Sequence, residues 1–144
     1  MTERAIGPGD NLVRARLAGA DLSLKKLTEV NLSLAVLKGA DLREADLRDA
    51  LLFAAQLTDA NLSFARLEGA DLSEADLFGA NLTGVKAAGA DFRRANLAVA
   101  NLHGADLRNA VLRDANLQGA DLTDAKLDGA DLSGALIKVS EGPR

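Results

Sequence analysis

The side chains able to do chemistry are few, and nothing in their spacing gathers them into a site. His103 is the only histidine and there is no cysteine. Two carboxylates held close together can divide acid and base roles, and acidic pairs do recur, as in Asp46/Asp49 and Asp121/Asp124. Such a pair works only where burial or a cleft separates its proton affinities. These pairs recur because a five-residue pattern recurs. The absence of cysteine removes thiol nucleophiles, disulfides and thiolate metal ligands. The glycines are spread periodically instead of forming one phosphate-cradling loop. The residues predict no catalysis, no cofactor and no metal centre.

The pattern that sets these spacings is plain in residues 116 to 135, where Leu117, Leu122, Leu127 and Leu132 follow Ala115, Ala120, Ala125 and Ala130 at a distance of two. A step of five turns about 500° on an α-helix, so the leucines would fan around the whole surface. On a flat strand an odd step sends every second leucine to the opposite face. The pattern closes only if each unit is a short extended piece, with Ala and Leu both inward, followed by a bend. Repeated, that unit winds into a solenoid whose coils support one another.

Tandem Ala-(Asp/Asn)-Leu-x-x, as in Ala20-Asp21-Leu22-Ser23-Leu24 and Ala100-Asn101-Leu102-His103-Gly104, resembles the pentapeptide-repeat family. The resemblance covers residues 10–139, twenty-six units in one register. It implies an all-β fold, a right-handed quadrilateral parallel β-helix with four pentapeptides per coil, hence about 6.5 coils and a rod about 30 Å long at ~4.8 Å per coil. It also implies a non-catalytic, protein-binding rod. Some members of the family imitate duplex DNA and bind type II topoisomerases such as gyrase, protecting them from quinolones or inhibiting them. Others dimerise through their C-terminal ends.

Composition agrees with a narrow aliphatic tube: the 144 residues are 48% hydrophobic but only 3% aromatic, with no Trp or Tyr. A net charge of −4 opposes direct nucleic-acid binding, which needs a basic stripe. Neither a signal peptide nor an 18-residue apolar run is visible, and the sequence predicts a cytoplasmic protein that does not enter membranes. Residues 1–9, with the turn signal Gly7-Pro8-Gly9, read as an off-register lead-in or cap, and residues 140–144 as a tail.

Four units per coil place residues twenty apart above one another. The inward ladder then contains Leu12, Leu32, Leu52, Leu72, Phe92, Leu112 and Leu132. Lys25 and Ala87 depart from the inward pattern. Lys25 predicts a looser first pair of coils, with its amine reaching the edge. Ala87 predicts a packing defect of about 2–5 kcal/mol, softened by Val85 and Phe92. One outward column, Asp21, Asp41, Asn61, Asn81, Asn101 and Asp121, is unbroken Asx. These side chains can bond backbone amides at bends and one another up the ladder. Glycines at the last place of a pentad, Gly19 and Gly39 among them, predict corners with positive φ.

The same sorting gives the candidate faces. One wall carries Asp21, Asp41, Glu44, Asp121 and Asp124 against Arg43 alone. Another balances its charges, with Lys26-Asp46-Arg66 and Lys86-Asp106-Lys126 predicted as solvated ion-pair ladders. Leu34, Val36, Leu51 and Phe53 form an apolar group that is either a contact surface or backbone shielding. Leu136, Ile137 and Val139 form a candidate dimer end, with Ile137 in the inward register. The sequence thus predicts a rod whose partner is another protein.

Overall fold

The computed structural model describes residues 5–138. From Asn11 to Leu136, parallel backbone bridges join residues twenty apart: Asn11 to Asn31, Arg16 to Val36, Asp21 to Asp41, Lys26 to Asp46, and onward in the same four columns. Each coil therefore has four sides, and each side is one pentapeptide. No helix occurs among the described residues.

Three hydrogen bonds tie each side to the next coil. The Leu12 N–H donates to the Asn31 carbonyl (2.7 Å), the Arg14 N–H to the Ser33 carbonyl (3.0 Å), and the Asn31 N–H donates back to the Asp10 carbonyl (2.9 Å). The pattern repeats, apart from the corner rung at Gly69, to Leu117 N–H with Leu136 carbonyl (2.8 Å). Within a coil, each corner is closed by a bond such as Ala15 N–H to the Leu12 carbonyl (3.0 Å). The third residue of that turn has positive φ, 63° at Arg14, which identifies a type II turn.

Positive φ marks every corner from Gly9 to Gly134, on glycine and also on residues as bulky as Phe64 (59°) and Val99 (59°). A bend was predicted after every unit, but positive φ only where glycine stands. The repeat holds the conformation everywhere, because each corner is closed within its coil, as in Ala65 N–H to the Leu62 carbonyl (3.0 Å), and most corner N–H groups are also bonded to the next coil, as in Phe64 N–H to the Thr83 carbonyl (2.9 Å).

The tube is filled by the inward Ala and Leu. Leu32, Leu52, Leu72, Phe92 and Leu112 are completely buried, whereas Leu12 and Leu132 at the two ends of the ladder are only partly covered. Each full burial stabilises by about 1.5–3 kcal/mol, so the centre of the rod holds most of the stability. Ala87, Val85 and Phe92 are likewise completely buried. The Ala87 N–H still donates to the Asp106 carbonyl at 2.8 Å, but beside it the rung from the Gly69 N–H to the Ala88 carbonyl is missing.

The N-terminal end shows two local features. Gly9 donates to the Thr28 carbonyl (2.9 Å) and Asp10 to the Gly7 carbonyl (3.3 Å). These are the inter-coil and corner bonds of the repeat, so an in-register corner stands at Gly7–Asp10, where an off-register lead-in was predicted. Lys25 is half-exposed and borders an open cleft with Ile6, Arg16, Leu17, Asp21 and Leu22. Its corner bond, Lys25 N–H to the Leu22 carbonyl, stretches to 3.4 Å against 3.0 Å at Ala35 and Ala40. An inward lysine costs too much to bury, and its coil opens instead.

Candidate functional site

The side walls are built by the second residue of each pentad and the two that make the corner. At the second place, Asx side chains turn back on their own chain. Asp21 accepts from the Ser23 N–H (3.1 Å), Asn61 from the Ser63 N–H (3.0 Å) and Asn101 from the His103 N–H (3.0 Å). These are Asx turns that start each corner. A bond up a ladder occurs between Asn96 and Asp76, Nδ2 to Oδ1 at 3.4 Å. The unbroken Asx column shows none among the described residues, so turn-making accounts for its composition and side-chain stacking does not.

Four arginines complete a fork on the carboxylate two residues before them. Arg43 grips Asp41 through Nε (2.8 Å) and Nη2 (2.7 Å), and Arg48–Asp46, Arg93–Asp91 and Arg108–Asp106 repeat it with Nη2 at 2.7 Å. The predicted vertical ion-pair ladders are corrected by this geometry. Asp46 and Asp106 pair along the chain, and Arg66 pairs with Glu68 (3.3 Å). A side chain two places on reaches the carboxylate in the same plane, whereas the residue one coil away stands parallel to it. The Asp-x-Arg spacing was the available signal.

These bonds set the protonation of the walls. The Ser23 hydroxyl and amide hold Asp21 below the usual carboxylate range, the Arg43 guanidinium does so for Asp41, and Thr123 for Asp121. Asp131, bonded by the Ser133 hydroxyl and amide and by Arg113, falls to about 2. All four carboxylates are ionised at neutral pH.

The acidic wall is less continuous than its composition suggests. Asp21, Asp41 and Glu44 lie near one end, Asp121 and Asp124 near the other, and the neutral Asn61, Asn81 and Asn101 separate them. Arg43 neutralises Asp41, and His103 Nε2 stands 4.0 Å from Asp124 Oδ2. Among the described residues, no group of histidine and carboxylate side chains could hold a metal ion.

The apolar wall is assembled on adjacent coils. Leu51 bridges to Asn31 and Asp71, and the Leu34 N–H donates to the Phe53 carbonyl (2.8 Å). Leu34 (36%), Leu51 (43%) and Phe53 (39%) are exposed together, while Val36 around the corner is half-buried. Val13, two coils below Phe53 in the same column, extends the group. Reading the 13–33–53 column at the twenty-residue period would have found it. At the C-terminal end Leu136 and Ile137 are both exposed. Ile137 keeps the inward register but has no coil above it among the described residues. Val139 lies outside the described residues.

The chain matches the family model for pentapeptide repeats in eight copies, over residues 11–52, 55–94, 75–114 and 95–134. Among solved structures, a pentapeptide repeat protein from Nostoc PCC 7120 is 40% identical over 61% of this chain and 84% of its own, with a TM-score of 0.53. A trypsin-treated form of QnrB1, a plasmid-mediated fluoroquinolone resistance protein, is 25% identical over 91% of this chain and 72% of its own, with a TM-score of 0.50. No curated protein sequence matches the chain. The chain belongs to the pentapeptide-repeat family and folds as its right-handed quadrilateral β-helix.

Proposed function

We propose that this protein is a non-catalytic rod-shaped scaffold, cytoplasmic, whose walls bind another protein. The observation that carries this reading is the exposed group Leu34, Leu51 and Phe53 on neighbouring coils. Other large apolar side chains, such as Leu24, Phe64 and Phe78, are exposed elsewhere on the rod, but these three stand together on adjacent coils of one wall, and clustered exposure of this kind marks contact surfaces. A rigid wall needs little ordering on binding, so the cost of association stays low.

The test compares proteins captured by the native chain and by Phe53→Glu. A partner retained by the native chain and lost by Phe53→Glu supports the reading. A partner set that is unchanged by Phe53→Glu and Leu51→Glu together contradicts it.

A second reading, a DNA mimic directed at a type II topoisomerase, draws on the likeness to QnrB1 in length of match and in fold. Charge density weighs against it. Duplex DNA carries one negative charge per ~1.7 Å, or about fourteen over the ~24 Å between Asp21 and Asp121 at ~4.8 Å per coil. This wall supplies five acidic groups, of which Arg43 offsets one. A gyrase supercoiling assay with and without a quinolone separates the two readings: protection or inhibition favours mimicry, and no effect at micromolar protein removes it.

A further inference from the structure

The two ends of the described spiral are not equivalent, and their difference is set by the hydrogen-bond pattern. In each side, two N–H groups point toward the C-terminal end and one carbonyl joins them, while the coil above answers with two carbonyls and one N–H. The last coil therefore leaves the N–H groups of Leu122, Asp124, Leu127, Gly129, Leu132 and Gly134 without a partner among the described residues. The first coil leaves the carbonyls of Asn11, Val13, Arg16, Ala18, Asp21 and Ser23 in the same state. One end is rich in donors and the other in acceptors.

Side chains follow the same polarity. Residues 7–26 carry four basic groups, Arg14, Arg16, Lys25 and Lys26, against Asp10 and Asp21. Residues 119–138 carry four acidic groups, Asp121, Asp124, Asp128 and Asp131, against Lys126 and Lys138. Both ends also present half-covered core: Ile6, Leu12 and Leu17 at the first, Leu122, Leu127 and Leu132 at the last.

We propose that the C-terminal end of one copy docks on the N-terminal end of the next, so that the rod assembles head to tail. The occupant of each end is a second copy of this chain, because every coil-to-coil junction inside the rod already displays the required match of donors, acceptors and aliphatic plug. A tail-to-tail pair would set two donors against two donors on every side and acidic rims against each other, leaving buried N–H groups unsatisfied at about 1–3 kcal/mol each. A head-to-tail contact is heterologous and does not close, so it propagates into linear oligomers.

The absence of cysteine allows a direct test. Ser23→Cys and Ser133→Cys place one thiol on each rim, and a short bismaleimide reports which rims meet. The mixture of the two variants is expected to give at least about five times more covalent dimer than either alone. The double variant should give a ladder of oligomers. Dimers formed by Ser133→Cys alone, or by Ser23→Cys alone, overturn the proposal in favour of a two-fold contact. Monomer mass by light scattering up to millimolar protein, with no cross-link in the mixture, overturns it as well. Charge reversal in the native background gives an independent readout: Arg14→Glu with Arg16→Glu is expected to weaken association several-fold, and unchanged association contradicts the complementarity.

Discussion

The Phe64 ring lies across the backbone of Gly84, one coil further along the same corner column, and occupies the place a methyl group at 84 would take. Gly104, the next residue of the column, has open space at that position although its φ (68°) is close to that of Gly84 (62°). The pair separates two effects that glycine usually mixes. Gly104→Ala adds only the cost of a left-handed alanine, about 1 kcal/mol. Gly84→Ala must also push the Phe64 ring from its position, adding about 0.5–1.5 kcal/mol. Urea midpoints of the two variants check this; equal losses would show that the ring does not pack there.

The opposite strain stands at Val99, a β-branched residue at φ 59° and more than half exposed. Branched side chains are outliers in the left-handed region, whereas asparagine tolerates it. Val99→Asn is expected to stabilise by about 0.5–1 kcal/mol, read as a rise in the thermal midpoint. A fall would mean that the packing of the Val99 side chain outweighs the strain.

The exchange of sizes at Ala87 and Phe92, on adjacent sides of one coil, predicts non-additivity. Phe92→Leu alone leaves a void and Ala87→Leu alone overpacks, each costing about 1–3 kcal/mol. The double variant restores the regular repeat and should cost clearly less than the two together. An additive double-mutant cycle would show that the two residues pack independently.

Acid should weaken the walls before it reaches the core. Asp131 is held at about 2 against 3.8 unfolded, and Asp41 and Asp106 are lowered by their arginines. A depressed folded-state value gives stability that is present above the unfolded value and lost as pH falls through the folded one. The thermal midpoint should therefore decline between about pH 4 and pH 2. Asp131→Asn should flatten part of that decline, and an identical profile in the variant would remove Asp131 from the account.

How much of this was legible in the sequence depends on whether the period or the partner decides the feature. Inward and outward placement follow from the five-residue step alone, which is why Leu72, Phe92 and the apolar group Leu34, Leu51 and Phe53 could be assigned by spacing. The positive φ of Arg14 or Glu74 could not, since it comes from backbone hydrogen bonds at the corner and leaves no mark on residue type. The Arg43–Asp41 fork was hidden for the opposite reason. Its partner lies two residues along the chain, where the twenty-residue columns do not place it. The in-register corner at Gly7–Asp10 carries no Ala or Leu, so only its bonds reveal it.

Everything on the walls depends on residues twenty apart being vertical neighbours. Ser63 and Thr83 stand in that relation, with the Phe64 N–H bonded to the Thr83 carbonyl at 2.9 Å, which brings their Cα atoms to about the 4.7–4.9 Å spacing of paired strands. A disulfide needs roughly 4.4–6.8 Å. Oxidation of Ser63→Cys/Thr83→Cys, followed by intramolecular disulfide yield in mass spectrometry, is the most direct measurement. The account predicts near-complete closure there and none in Ser63→Cys/Ala88→Cys. Closure in the second pair and not in the first would contradict it.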